Sequence, residues 1–117
     1  MRRAEVWTAD LNPTRGPEVG KVRPVLVIQA DWLTEAGADT ILMVPLSTQH
    51  RPSLEPLRVP IPARDRLKKP CTPLPEKARA LDRARFGEGP LTTLTETEMA
   101  AVEHALCAVM GMAVEEH

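Results

Sequence analysis

Residues 5–29 of the chain read EVWTADLNPTRGPEVGKVRPVLVIQ, and their pattern sets the architecture. Residues 5–11 alternate loosely between apolar and polar side chains, which predicts a half-buried strand. Residues 12–21 contain two prolines and two glycines, which favour turn geometry, so we expect a loop. Residues 22–29 form a nearly continuous β-branched run, which is typical of a strand buried on both faces. The stretch therefore predicts two strands joined by a long polar loop.

The middle of the chain also favours strands and turns. We expect one helical turn after Asp31 and a charged loop over residues 64–70. Strand character returns in three segments, residues 40–49, 57–61 and 71–81. The chain holds 12 prolines, which are poorly tolerated in helix interiors and central ladders, so we expect short strands rather than a helical bundle.

The last element is a helix. Thr95 and Glu98 form a capping box, because the threonine hydroxyl can accept from the Glu98 backbone N–H while the carboxylate reaches back. Apolar residues then recur on one helical face, at Met99, Val102, Leu106, Val109 and Met110. We expect this face to pack in the core or in a dimer interface. Strands followed by one closing helix predict a mainly β fold with α (α+β), an SH3-like β-barrel with a C-terminal helix, in a single domain spanning residues 1–117.

Composition narrows the possible functions. Net charge is −1, yet residues 1–69 carry 11 Lys and Arg against 8 Asp and Glu, while residues 70–117 carry 4 against 8. An RNA site could lie in the basic first part, although solvated loop charges are the simpler explanation. Aromatic residues make up only 3% of the chain, which argues against an RNA-binding surface of stacked aromatic rings.

Neither a metal site nor a membrane segment is expected. Cys71 and Cys107 form no C-x-x-C pair, and the 3 histidines have no ligand spacing with them. No signal peptide is visible, and no apolar run approaches the ~20 residues that span a bilayer. We therefore expect a cytoplasmic protein.

Polar side chains gather where one predicted strand begins and another ends. Arg23 follows the long loop, and Ser47, Thr48 and Gln49 end the third strand with three hydrogen-bonding side chains in a row. Arginine suits an RNA phosphate because its planar guanidinium bonds two phosphate oxygens and stays charged at physiological pH. Ser, Thr and Gln also close strands as ordinary turn residues, so this pattern alone leaves both interpretations open.

Three segments, in order along nearly the whole chain, resemble the MazF/PemK family of toxins. Residues 6–28 are similar to the family's opening strand, Asp-x-x-Pro turn, Gly-x-Glu-x-Gly loop and Arg-Pro start of the next strand. Residues 46–49 resemble its hydroxyl-rich turn after the third strand, and residues 79–85 its Arg-Thr-x-Asp-x-x-Arg segment. The first motif is long and specific, whereas the other two would be weak alone.

The resemblance implies a type II toxin–antitoxin endoribonuclease on a barrel of the MazF/PemK/CcdB type. Such a toxin is a homodimer that cleaves single-stranded RNA, including mRNA, at sequence-defined sites without a metal or another cofactor. The ribose 2′-OH attacks the adjacent phosphorus, giving a 2′,3′-cyclic phosphate (or a 3′-phosphate after hydrolysis) and a 5′-OH. The resemblance also implies a cognate MazE-like antitoxin whose acidic, disordered tail occupies the RNA groove.

The resemblance also implies roles for individual residues. Arg23 and Ser47 match the family's catalytic arginine and threonine, and Glu18 matches a residue of substrate binding or catalysis. We expect Arg23 to stabilise charge on the phosphoryl oxygens or to donate a proton to the leaving oxygen, because a guanidinium is a poor base. Ser47 can hold the phosphate or relay a proton, and Glu18 is the more plausible base. Substrate binding is assigned to Thr48, Gln49, Asn12, Arg79 and Asp82.

The chain departs from the family pattern at three positions. Ser47 replaces the commoner threonine, Lys77 the usual glutamine and Ala80 a threonine. Lys77 and Ala80 bear on the cleavage sequence more than on the activity, since their region is expected to contact bases.

The same barrel leaves other functions open. One is a non-enzymatic, CcdB-like toxin that binds gyrase. Another is a plain SH3-like interaction module, or a degenerate toxin that binds RNA without cutting it. Arg23 together with Ser47 favours the nuclease.

Overall fold

An antiparallel β-sheet organises the fold in the computed structural model, which describes residues 1–13, 21–49 and 56–112. Its strands are β1 (Glu5–Asp10), β2 (Val22–Val27), β3 (Thr40–Ser47), β4 (Thr72–Pro73), β5 (Arg79–Asp82) and β6 (Thr92–Thr93). They are ordered β4-β3-β2-β1-β6, and β5 also pairs with β3. The sheet forms a half-barrel with a helix at its C-terminal end, which confirms the predicted mainly β fold.

In the described parts of the chain, the fold also contains the α-helices α1 (Asp31–Glu35) and α2 (Glu96–Met110). The predicted capping box is present: Glu98 N–H donates to Thr95 Oγ1 at 3.1 Å, and Thr95 N–H donates to Glu98 Oε1 at 2.9 Å. Gly111 then ends α2 at a φ of 70°, a left-handed conformation that glycine adopts without a Cβ clash. Within the described parts of the chain, no helix is long and apolar enough to cross a membrane.

The apolar face of α2 is buried over only part of its length. Met99, Val102 and Leu106 pack in the core as predicted. Val109 and Met110 are 40% and 59% exposed, so they lie outside the core of the chain. The core that α2 covers ends at Leu106, and the last helical turn extends beyond it. Packing of these two residues in a dimer interface remains a prediction.

Strand register sorts the buried side chains onto two faces of the sheet. In β1–β2 Val6 lies opposite Leu26, and in β2–β3 Leu26 lies opposite Val44. This face packs against α2 to form the larger core. The alternate residues point to the other face and form a second core of Ala9, Leu11, Val25, Met43 and Leu81.

The predicted strand over residues 57–61 is wrong. Within it only Ile61 pairs, in an isolated bridge with Cys71, where each residue's N–H donates to the other's carbonyl at 2.8 and 3.0 Å. Pro60 and Pro62 flank Ile61 and have no N–H to continue a ladder. The predicted strand over residues 71–81 is likewise broken into β4 and β5 by a 3₁₀ turn at Pro75–Lys77.

Two bidentate ion pairs brace the segment between β3 and β5. Arg58 Nη1 and Nη2 donate to the two carboxylate oxygens of Glu76 at 2.8 and 2.6 Å, and the arginine side chain is only 5% exposed. Arg64 donates to Glu98 on α2 in the same way, at 2.9 and 2.6 Å. Parallel hydrogen bonds of this kind fix geometry as well as charge. They hold residues 58–64 in place although those residues form no regular strand.

Candidate active site

Arg23 and Ser47 are brought together by the pairing of β2 with β3. Val25 lies opposite Pro45 in this antiparallel ladder, so extending the register by two residues aligns Arg23 with Ser47. Side chains alternate along a strand, so both residues project from the face that carries Val25. The sequence placed these residues at the start of one strand and the end of another, and the register makes them neighbours.

The hydroxyl group of Ser47 is held by the turn that follows it. Gln49 N–H donates to Ser47 Oγ at 3.0 Å, while the serine residue is only 8% exposed. This bond uses a lone pair of the oxygen and leaves the hydroxyl proton available for donation to a ligand. Ser47 therefore closes its strand by ordinary turn chemistry and can also act as a hydrogen-bond donor. Thr48 and Gln49 beside it are exposed.

Arg23 and Ser47 line a common pocket of about 260 Å³, here named the cationic pocket. Its described walls are residues 21–24 from the start of β2 and residues 46–49 from the end of β3. Lys21 and Arg23 supply two positive charges, and Ser47, Thr48 and Gln49 supply hydroxyl and amide groups. An anion with several oxygen atoms, such as a phosphodiester, matches this combination.

Asn12 supports the base of the loop between β1 and β2. Its side-chain oxygen accepts from Lys21 N–H at 3.0 Å, and its own N–H donates to Asp10 Oδ1 at 3.0 Å. The Arg85 guanidinium also donates to the backbone carbonyl of Asn12. Asn12 thus fixes the backbone next to Lys21, and its predicted substrate contact stays a prediction. Glu18, the predicted base, lies outside the described residues.

Arg79 and Asp82 are placed differently. Arg79 on β5 lies opposite Met43 on β3, so it is on the same sheet face as Arg23 and Ser47. Met43 is four residues before Ser47 along β3. Asp82 pairs with Thr40 near the far end of β3, and its carboxylate accepts from Ala84 N–H at 2.8 Å. Asp82 therefore caps a 3₁₀ turn, and the structure does not bring it to the cationic pocket.

A second pocket of about 450 Å³ adjoins the first and was not foreseen from the sequence. Its described walls are residues 47–49, 60–62 and 70–72, and we name it the proline slot after Pro60, Pro62 and Pro70. None of these described lining residues carries a charged side chain. Burial raises the pKa of the Cys71 thiol to about 11, so this wall is also neutral at physiological pH.

The described residues include no cluster of three or more His, Cys, Asp or Glu side chains that could hold a metal ion. His104 is exposed on α2. The site is therefore characterised by the cationic pocket and by the proline slot that shares the Ser47–Gln49 wall.

Comparison with known proteins identifies the family. A family model described as "PemK-like, MazF-like toxin of type II toxin-antitoxin system" matches residues 2–110. The chain belongs to this family. A curated relative, Endoribonuclease MazF of Staphylococcus epidermidis, is 34% identical over 113 residues, which cover 96% of this chain and 92% of the relative. The chain is thus an endoribonuclease of the toxin family, and the gyrase-binding and plain interaction-module alternatives are not favoured.

Solved structures of MazF toxins share the fold. MazF from Deinococcus radiodurans superposes with a TM-score of 0.82 at 23% identity, covering 96% of this chain and 97% of that chain. The Mycobacterium tuberculosis toxin MazF-mt6 superposes with a TM-score of 0.77 at 17% identity, covering 94% and 99%. A mycobacterial endoribonuclease solved in complex with its cognate antitoxin has a TM-score of 0.73 at 18% identity, covering 98% and 97%.

Proposed function

We propose that this toxin cleaves single-stranded RNA, including mRNA, at sequence-defined sites, with the scissile phosphate bound in the cationic pocket. The observation that carries the proposal is the alignment of Arg23 with Ser47 across β2 and β3. It puts a permanent cation beside a hydroxyl donor in one pocket. The resemblance to MazF/PemK toxins also supports Arg23 and Ser47 as the catalytic residues.

The proposed reaction is a transfer within the RNA strand. The ribose 2′-oxygen forms a bond to the adjacent phosphorus and gives its proton to a base, while the bond from phosphorus to O5′ breaks. O5′ leaves as a 5′-OH after gaining a proton, and the other product is a 2′,3′-cyclic phosphate, which water can open to a 3′-phosphate. These reaction steps need no metal ion or organic cofactor.

Arg23 acts by charge and Ser47 by hydrogen bonding. Negative charge grows on the phosphoryl oxygens as phosphorus becomes five-coordinate, and a preorganised guanidinium stabilises that charge. Ser47 donates its hydroxyl proton to a phosphoryl oxygen, since its lone pair already accepts from Gln49 N–H at 3.0 Å. Glu18 stays the predicted base, and Thr48, Gln49 and Arg79 are proposed to bind flanking parts of the strand.

The partners follow from the same pocket. We propose a homodimer that pairs with a cognate antitoxin whose acidic tail binds the Lys21 and Arg23 charges and so excludes RNA. The relatives solved as MazE–MazF complexes from Deinococcus radiodurans support an antitoxin partner. We also propose that the toxin acts in the cytoplasm, where mRNA is available.

A cleavage assay tests this function directly. A long synthetic RNA is incubated in EDTA with the wild type, Arg23→Ala or Ser47→Ala, and the fragment ends are analysed. We expect discrete wild-type fragments with 5′-OH ends that disappear with Arg23→Ala. No cleavage by folded wild-type protein, across RNAs that contain every short sequence, would contradict the proposal.

A further inference from the structure

The proline slot lies directly beside the pocket that we assign to the scissile phosphate. We propose that it binds the base of the nucleotide next to that phosphate and so determines which sequences are cut. This inference rests on the proposed function and adds to it a base-binding subsite formed by Pro60, Pro62, Pro70 and Thr72.

Charge separates the two pockets. The cationic pocket holds Lys21 and Arg23, whereas the described lining of the slot holds no charged side chain. A phosphate or an acidic peptide side chain would lose its hydration in the slot without gaining a cation. An uncharged ring with polar edges gains from the same surroundings. Within a nucleotide that ring is the base.

Continuity limits the base to one of the two that flank the scissile phosphate. Ser47, Thr48 and Gln49 line both pockets, so one strand end separates them. A phosphate that contacts Ser47 from one side carries its own nucleoside within reach of the other side. The slot volume of about 450 Å³ falls within the usual range for small-molecule pockets.

Rigidity supports a role in selection. The slot walls are joined by the paired N–H and carbonyl groups of Ile61 and Cys71. The ion pairs of Arg58 with Glu76 and of Arg64 with Glu98 hold the chain on either side of residues 60–62. Proline rings add flat apolar surfaces whose backbone φ is fixed. A preformed slot of this kind loses little entropy when a base enters.

Side chains, rather than backbone amides, would tell one base from another. The N–H groups of Ile61 and Cys71 are already bonded to each other's carbonyls. The polar side-chain groups on the described lining are the amide of Gln49 and the hydroxyls of Ser47, Thr48 and Thr72. Thr72 Oγ1 donates to Ser47 O at a long 3.5 Å, so an incoming base can compete for it.

A binding experiment tests the slot without requiring cleavage. The full chain, labelled with ¹⁵N, is titrated with 2′-O-methyl hexanucleotides of randomised sequence, which lack the attacking hydroxyl, or with the same ribose–phosphate hexamers lacking bases. We expect both ligands to shift the amide signals of Arg23 and Ser47, and only the base-bearing ligand to shift those of Ile61, Cys71 and Thr72. If both ligands shift only the signals of Arg23 and Ser47, the proposal that the slot binds a base is rejected and the proposed function is unaffected.

The remaining outcomes are also decisive. Base-dependent shifts at the slot in a protein that fails the cleavage assay would keep the subsite and reject the proposed chemistry. If neither ligand shifts any signal, both proposals are rejected.

A cleavage cycle then measures the coupling between base and slot. Three RNAs are compared: one with a single mapped cleavage site, one with an abasic nucleotide on the 5′ side of the scissile phosphate, and one with it on the 3′ side. Each RNA is cut by the wild type, by Pro62→Ala/Pro70→Ala and by the control Pro56→Ala. Pro56 is an exposed proline outside the described slot lining.

We expect one abasic position to lower kcat/KM about tenfold in the wild type and in Pro56→Ala. In Pro62→Ala/Pro70→Ala the same abasic change should matter less than about threefold, because the wall for the base is gone. An equal abasic loss in all three proteins would overturn the subsite. Weaker binding of the variant to an antitoxin-tail peptide, with the abasic loss unchanged, would assign the slot to the antitoxin instead and also overturn it.

Thr72→Val tests whether the Thr72 hydroxyl helps to select the base. We expect it to change the preferred base at that position. Thr93→Val, an exposed threonine on β6, is the matched control and should leave the preference unchanged. An unchanged preference in Thr72→Val would remove Thr72 from the subsite.

Discussion

The cationic pocket and the proline slot share one wall but are built in different ways. Residues of the cationic pocket stand at the ends of two paired strands, so the β2–β3 register fixes their spacing. The other walls of the slot, residues 60–62 and 70–72, are joined by a single bridge and braced by ion pairs to distant residues. The first pocket depends on the sheet itself, whereas the second depends on side chains around it.

This difference bears on how the proposed chemistry and the proposed base selection are divided in this chain. Arg23 and Ser47 extend the register of the β2–β3 ladder, which ends at Val25 opposite Pro45, so a change in their alignment would require a shift of that register. Residues 60–62 lie outside the strands and can be replaced without disturbing that ladder, whereas Thr72 belongs to β4 and pairs with Ser47. We infer that cleavage chemistry belongs to the sheet and base selection to the braced segments.

Loss of the Arg23 charge should have the largest effect. Arg23→Ala should lower kcat/KM for RNA cleavage roughly 10³-fold, because a preorganised cation is removed from the growing phosphoryl charge. Arg66→Ala, which removes an arginine with a 55% exposed side chain, is the matched control and should keep nearly full activity. Single-turnover cleavage measures both rates, and circular dichroism checks the fold. Equal rates for the two variants would remove the chemistry from the cationic pocket.

Loss of the Ser47 hydroxyl should have the next largest effect. Ser47→Ala should lower kcat/KM about 10²-fold, since it removes both the donor to phosphate and the acceptor for Gln49 N–H. Ser47→Thr retains the hydroxyl and should recover most of this loss. Comparable activity of Ser47→Ala and the wild type in the same assay would show that the hydroxyl takes no part.

Breaking the Arg58–Glu76 pair should affect the slot and spare the cationic pocket. Arg58→Met leaves the Glu76 carboxylate without its bidentate partner and should lower the free energy of unfolding by about 3 kcal/mol. Urea unfolding measures that loss. At temperatures where the variant is folded, cleavage should become less selective while the rate at the best site changes little. A large fall in rate with unchanged selectivity would contradict the division of roles.

The Arg64–Glu98 pair gives the smallest expected effect and a defined pH dependence. Hydrogen bonding from Arg64 lowers the pKa of Glu98 from 4.5 to about 2. The unfolded state therefore binds more protons between these two values, so the stability from this carboxylate is complete above pH 4.5 and is lost as pH falls towards 2.

Glu98→Gln should accordingly cost about 1.5 kcal/mol of unfolding free energy at pH 7. The difference from the wild type should shrink between pH 4.5 and 2. Thr97→Ala, an exposed change in the same helical turn, is the control. A difference that stays constant across this range would show that the ionised pair does not stabilise the slot segment.

Sequence patterns were sufficient to predict the main strands of the sheet and to single out Arg23 and Ser47 as candidate site residues. The alternating and β-branched runs predicted β1, β2 and β3, because their burial repeats with the period of a strand. Arg23 and Ser47 could be singled out because they stand at strand ends, where one register step decides their distance. The capping box at Thr95 is local and was equally visible.

Long-range side-chain contacts were not visible in the sequence. Arg58 and Glu76 lie 18 residues apart and Arg64 and Glu98 lie 34 apart, and neither spacing has a periodic signature. The segment around Ile61 alternates like a strand, but its flanking prolines and its ion pairs keep it out of the sheet. Asp82 was assigned to substrate binding from its motif alone; its carboxylate caps the 3₁₀ turn after β5, and its substrate contact stays a prediction.

Sequencing of cleavage ends tests the division between the two pockets most directly. A random RNA library is cut by the wild type, by Arg23→Lys and by Pro62→Ala/Pro70→Ala, and all 5′-OH ends are sequenced at several times. We expect Arg23→Lys to cut the wild-type sites more slowly with an unchanged sequence preference. We expect the proline variant to lose up to about tenfold at the best wild-type site and to cut a broader set of sequences. A changed sequence preference in Arg23→Lys, or an unchanged preference in the proline variant, would contradict the account.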